Sequence, residues 1–109
     1  MQAFDDALLV GLACGSLDIL TDTLYVMADP RMTSCPAVDK RLTDSLANAV
    51  NLAVAFDDRN SITMLVMSLL SRPSYGPEHA AVLQRTIVAA FRLGFLGAFS
   101  ALITTLASM

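Results

Sequence analysis

The chain of 109 residues suffices for one domain that buries roughly 60–70% of its unfolded surface without covalent staples. It is 55% hydrophobic and only 16% charged, with a mean hydropathy of +0.60; average soluble domains are roughly 25% charged, so there is more apolar side chain than a small globule easily hides. A net charge of −3 and a pI near 4.7, with seven basic residues scattered along the chain, exclude a phosphate-tracking surface and with it nucleic acid as the expected partner.

The first segment, "AFDDALLVGLAC", has helical periodicity up to Cys14. Its acids stand where a secretory signal needs a basic region, so the chain is read as non-secreted by that route and cytoplasmic. After "GS", Ser16 is placed to cap a second helix from Leu17 to about Met27, with Asp18 favourable in its first turn. Two short helices with a tight turn make an αα-hairpin.

"DPRMTSCP" reads as a connection, and Pro36 suits the first turn of a third helix. Val38, Leu42, Leu46, Val50 and Ala53 recur at three or four residues and carry this helix to near Phe56. "DDRN" breaks it, with Asp58 or Asn60 as the cap of a fourth helix whose inward stripe is Ile62, Leu65, Val66, Leu69 and Leu70. "SRPSYGPEH" is the next connection, and Pro77 and Glu78 suit a helix start. Val82, Leu83, Ile87, Ala90 and Phe91 carry that helix to Gly94, where a turn or a sharp kink is expected; Leu96, Phe99, Ile103 and Leu106 then repeat at helical spacing. The expected fold is all-α, a single domain of three stacked helical hairpins with about six helices.

Three helix pairs in about a hundred residues is the spacing of tetratricopeptide repeats, whose unit is ~34 residues. In "NLAVAFDDRNSITMLVMSLL" a polar turn separates two apolar helices, with Met64 where they cross; "VAAFRLGFLGAFSALITTLA" places Phe91 before Arg92-Leu93-Gly94 and an apolar crossing at Ala98 and Phe99. Through "LACGSLDILTDTL", "LAVAFDDRNSITML" and "FRLGFLGAFSALITTLAS", in that order and spacing, the chain from Leu12 to Ser108 resembles the needle-subunit chaperones of bacterial type III secretion systems. The resemblance implies a cytoplasmic, tetratricopeptide-like chaperone. Its partners would be a secreted helical client, the needle subunit, held by its C-terminal helix in an apolar groove, and a small helical co-chaperone covering the N-terminal helices. Because such grooves are lined mainly by the first helix of each pair, the implied groove residues are Val50, Ala53 and Val54, then Val88, Phe91 and Phe95, with Met64 and Met67 adjacent.

Chemistry-bearing residues are sparse. The single histidine, His79, follows Pro77-Glu78 and is expected as a solvated first-turn residue. Cys14 and Cys35 lack the paired spacing of a zinc site and are expected reduced and partly buried. The pairs Asp5-Asp6 and Asp57-Asp58 are expected to serve helix starts rather than a cation. With no glycine-rich phosphate loop and no nucleophile–base pattern, neither an enzyme nor a cofactor is expected. The six methionines are either core filler or an adaptable contact surface.

Two other classes stay open. The 17 residues from Leu93 to Met109 carry no formal side-chain charge, just short of the roughly 18 that mark a membrane span, which leaves a small membrane or tail-anchored subunit as an alternative. The missing basic flank and boundary aromatics disfavour it. The same stripes would also serve a homodimeric helical bundle in a larger assembly.

Overall fold

A computed structural model describes residues 2–108, and among these lie seven α-helices and one short 3-10 turn. The helices are α1 (Gln2–Cys14), α2 (Leu17–Met27), α3 (Pro30–Thr33), α4 (Pro36–Ala53), α5 (Arg59–Leu70), α6 (Pro77–Leu93) and α7 (Leu96–Ser108), with the 3-10 turn at Val54–Phe56. The hairpins α1–α2, α4–α5 and α6–α7 stack in two layers. In the first layer α4 packs between α1 and α6; in the second, α5 packs between α2 and α7. The fold is therefore the all-α stack of three hairpins expected from the periodicity.

Local signals explain the boundaries. Ser16 Oγ accepts the Ile19 N–H at 3.2 Å and caps α2, while Pro30, Pro36 and Pro77 start α3, α4 and α6 with their φ already helical. The short α3 lies inside the segment read as a plain connection; Asp29 caps it, accepting the Arg31 N–H at 2.8 Å. Asp58 is the cap of α5, accepting the Asn60 N–H at 3.1 Å.

The three turns inside the hairpins share one geometry. A residue in the left-handed region follows the first helix, in the second hairpin after the 3-10 turn Val54–Phe56; one further residue intervenes before the second helix begins. Gly15 (φ 65°), Asp57 (φ 52°) and Gly94 (φ 78°) hold the first position. At two of them the 6→1 bond of a Schellman motif closes the turn, from Ser16 N–H to Gly11 O at 2.9 Å and from Phe95 N–H to Ala90 O at 3.0 Å. Gly94 thus ends α6 rather than bending it.

That turn divides the uncharged C-terminal stretch between α6 and α7. Within the described residues α7 has 13 residues, ~20 Å of helix. No helix among the described residues is long and apolar enough to cross a membrane.

The core follows from α4 and α5, which have neighbours on both sides. Leu42, Leu46 and Val50 of α4 meet Ile62, Leu65, Val66 and Leu69 of α5, all fully buried, with Leu8, Leu20, Met27, Leu83 and Leu102 supplied by the flanking hairpins. At roughly 1.5–3 kcal/mol for each large side chain removed from water, this central cluster is the main attraction holding the hairpins together. A Cβ at Gly11 would lie 2.9 Å from Leu20 Cγ, so the Leu20 side chain of α2 packs directly on the α1 backbone there.

Candidate partner-binding surface

The scarce polar side chains are spent on joining hairpins. Arg72, which is buried, donates from Nη1 to the Met27 carbonyl at the end of α2 and from Nη2 to Asp39 Oδ1 of α4 at 2.5 Å. Asp39 Oδ2 accepts the Ser74 N–H at 2.9 Å, and the Thr43 and Ser74 hydroxyls lie 2.5 Å apart. One guanidinium thus links the first hairpin to the second. On the other side of α4, Thr86 Oγ1 donates to Asn51 Oδ1 at 3.2 Å.

His79 joins α6 to α4 and is not the solvated residue expected. It is 2% exposed. Gly76 N–H donates to Nδ1 at 3.0 Å, so the ring proton sits on Nε2 and donates to Asp44 Oδ1 at 2.8 Å, while the Tyr75 ring stacks on the imidazole. Both ring nitrogens are engaged within the fold, and the residue's task here is to position α6. The helix-start position suggested exposure; α4 lies directly over that first turn and removes it from water.

Cys14 and Cys35 are free thiols, and both are exposed rather than partly buried, because each lies at a helix boundary beyond the packed stripe. Asp5 lies in the first turn of α1, as expected of a helix-start acid. Asp57 and Asp58 serve two different helices. Asp58 caps its own helix, while Asp57 Oδ1 accepts the Ala98 N–H of α7 at 2.7 Å. Phe95 occupies the turn position that Ser16 and Asp58 occupy in the other hairpins, and its side chain has no acceptor for that N–H. The neighbouring hairpin supplies one. Gly97 makes room for it, since a Cβ there would lie 3.0 Å from Asp57 Oδ1. Among the described residues no three His, Cys, Asp or Glu side chains gather at metal-binding distance.

The eight residues expected to form one groove are divided by the fold. Val50, Ala53 and Val54 are buried in the core, because they belong to the stripe by which α4 meets α5. Along its exposed side α4 instead carries Lys40, Arg41, Asp44, Asn48 and Asn51, with Leu52 the one large apolar side chain exposed there. Met64 is partly buried against the core; Met67 is exposed, on α5 of the second layer. Phe95 is partly buried in the turn after α6.

Val88 and Phe91 remain on the surface, and they have exposed company. Phe91 is 64% exposed, Leu93 67% and Leu96 66%, with Ile103 also in the open and Phe99 half-buried. The Phe91 and Phe99 rings pack with centroids 5.4 Å apart, closing the seam between α6 and α7. Along the open side of α6, Gln84, Arg85, Val88, Ala89, Arg92 and Leu93 line a shallow hollow of about 600 Å³. The buried residues of α6, His79, Leu83, Thr86 and Ala90, lie on the opposite half of the helix, so this hollow faces away from the second hairpin. The third hairpin therefore presents an apolar outer face with two guanidinium groups on it. Leu93 and Leu96 bracket Gly94 in sequence, and their place in the uncharged run was the signal for this surface.

Comparison with known protein families, curated proteins and solved structures gives no match.

Proposed function

We propose that the chain is a cytoplasmic chaperone that holds an amphipathic helix of an aggregation-prone export substrate against the outer face of its third hairpin. The single observation that carries this reading is that Val88, Phe91, Leu93, Leu96 and Ile103 are all exposed on the third hairpin, three of them more than 60%. Exposed apolar surface of this kind is a mark of protein–protein contact sites. A client helix laid across it would remove apolar surface of both partners from water without a nucleotide or cofactor, and binding would lower the concentration of polymerising client by mass action.

The resemblance to needle-subunit chaperones of type III secretion makes the C-terminal helix of a needle subunit the client of this proposal. It also makes a small helical co-chaperone on the first hairpin the second partner. In support, Leu9, Val10, Ile19, Tyr25 and Val26 are exposed on α1 and α2. The experiment is co-expression of the chain with a needle subunit and its small co-chaperone, followed by size-exclusion chromatography. A soluble complex containing the needle subunit is expected, and its loss with Phe91→Asp at unchanged helix content assigns the face. A needle subunit that stays insoluble, or a complex indifferent to Phe91→Asp, contradicts the proposal.

A further inference from the structure

Formal charge is segregated along the stack. No Lys or Arg precedes Arg31, whereas Asp5, Asp6, Asp18 and Asp22 all lie on the first hairpin; no Asp or Glu follows Glu78, whereas Arg85 and Arg92 lie on the third. The first hairpin is thus net negative and the third, where Glu78 opens α6 ahead of the two arginines, net positive; Asp22 lines the outer trough of the first and Arg85 and Arg92 the outer hollow of the third, so the two outer faces differ in sign at these residues. Both are also apolar. On the first hairpin, Ala3, Phe4 and Ala7 of α1 and Asp22, Thr23 and Val26 of α2 line a trough of about 280 Å³ with no residue of α4 in its wall, so it faces away from the second hairpin. On the third, the hollow with Val88 and Leu93 between Arg85 and Arg92 faces away from the second hairpin in the other direction.

We propose that these two faces meet: the acidic, apolar outer face of the first hairpin of one copy docks on the basic, apolar outer face of the third hairpin of the next, continuing the two-layer stack head to tail. Each outer face sets apolar side chains beside its charged ones, Phe4 and Val26 on the first hairpin and Val88 and Leu93 on the third, and the contact covers both. Each would serve as the other's cap. The choice of a second copy over an unrelated protein rests on the complementarity of the two faces. Asp22 lines one trough and Arg85 and Arg92 line the other, so one contact sets opposite charges around apolar centres, whereas first-to-first or third-to-third contacts set like charges together. A contact between different faces is heterologous and stays open to further addition unless its rotation closes a ring. The same third-hairpin face serves the client in the preceding section, but the charge segregation stands without that reading.

The test uses the full chain and sedimentation velocity across a concentration series at low ionic strength. One variant, Asp6→Lys with Asp18→Lys and Asp22→Lys, leaves Asp5 as the one acid of the first hairpin and makes both outer hairpins net basic; the other, Arg85→Glu with Arg92→Glu, makes both acidic. Wild-type chain is expected to assemble with rising concentration and to dissociate as salt shortens the Debye length from ~30 Å to ~3 Å. Each variant alone is expected to assemble at least roughly tenfold more weakly, since like charges then face each other. An equimolar mixture of the two is expected to regain assembly, because every junction again pairs opposite signs. A wild-type chain that stays monomeric overturns the proposal, and so does assembly that ignores either variant. A mixture that remains dissociated while both variants keep their circular dichroism overturns it as well. If a variant loses helix content, wild-type salt dependence decides: assembly unweakened by salt contradicts the proposal.

Discussion

Arg72 and Asp39, 33 residues apart in the chain, form a buried ion pair with Nη2 and Oδ1 2.5 Å apart, and the same guanidinium holds the Met27 carbonyl at the end of α2. Removing one member leaves the other as an uncompensated charge out of water, which costs about 3–5 kcal/mol. Arg72→Ala and Asp39→Ala are each expected to lower the unfolding free energy by that order, seen as a lower urea midpoint. Asp39→Leu combined with Arg72→Met is expected to be much less destabilised than the sum of the single changes, because no charge then stays buried alone. Equilibrium urea unfolding of the three variants checks this.

Asp57 is predicted to be a cap for a helix it does not belong to. Asp57→Ala removes the acceptor of the Ala98 N–H and leaves a left-handed backbone without a residue type that tolerates it, for a loss of about 1–3 kcal/mol. Asp57→Asn keeps an oxygen and tolerates the conformation, so its loss is smaller. Phe95→Ser gives α7 a cap of its own, and in that background Asp57→Ala is expected to cost less. A double-mutant cycle by thermal unfolding measures the coupling.

At the crossing of α1 and α2, Gly11→Ala sets a methyl against Leu20 at 2.9 Å. Overpacking of this kind costs about 1–3 kcal/mol and outweighs the ~1 kcal/mol that alanine gains over glycine within a helix. Net destabilisation is expected, and Leu20→Ala combined with Gly11→Ala should cost less than the two separate losses together. Thermal midpoints of the single and double variants decide it.

Asp29 gives a local prediction on pH. Hydrogen bonds from the Arg31 side chain and backbone hold its carboxyl below the ordinary aspartate range of ~3.9. A depressed folded-state value means that the cap on α3 contributes above the unfolded value and is lost as pH falls through the lower folded one. A carboxyl-carbon NMR titration should place Asp29 below that range, and Arg31→Ala should move it back up.

How much of this was readable in advance depends on whether a feature is local. Pro36, Pro77 and Ser16 act on their own few residues, so the helix starts they set in the sequence are those of the structure; the choices left open, Asp58 or Asn60 as a cap and a turn or a kink at Gly94, fall to Asp58 and to a turn. The cap on α7 joins residues 41 apart and His79 bonds Asp44 35 residues away, so neither leaves a mark in its own segment. The exposed end of the third hairpin was announced by an uncharged run of unusual length. The assignment of Val50, Ala53 and Val54 to a groove failed because an amphipathic helix has one apolar stripe, and α4, flanked by α1 and α6 and backed by α5, uses that stripe entirely for the core.

The outer face of the third hairpin as a helix-binding surface is tested most directly by titrating a labelled peptide of a needle subunit's C-terminal helix with the chain and with Phe91→Asp, followed by fluorescence anisotropy. Saturable binding by the native chain, lost in a Phe91→Asp variant of unchanged circular dichroism, is the predicted result. No binding by the native chain, or equal binding by both, would contradict it.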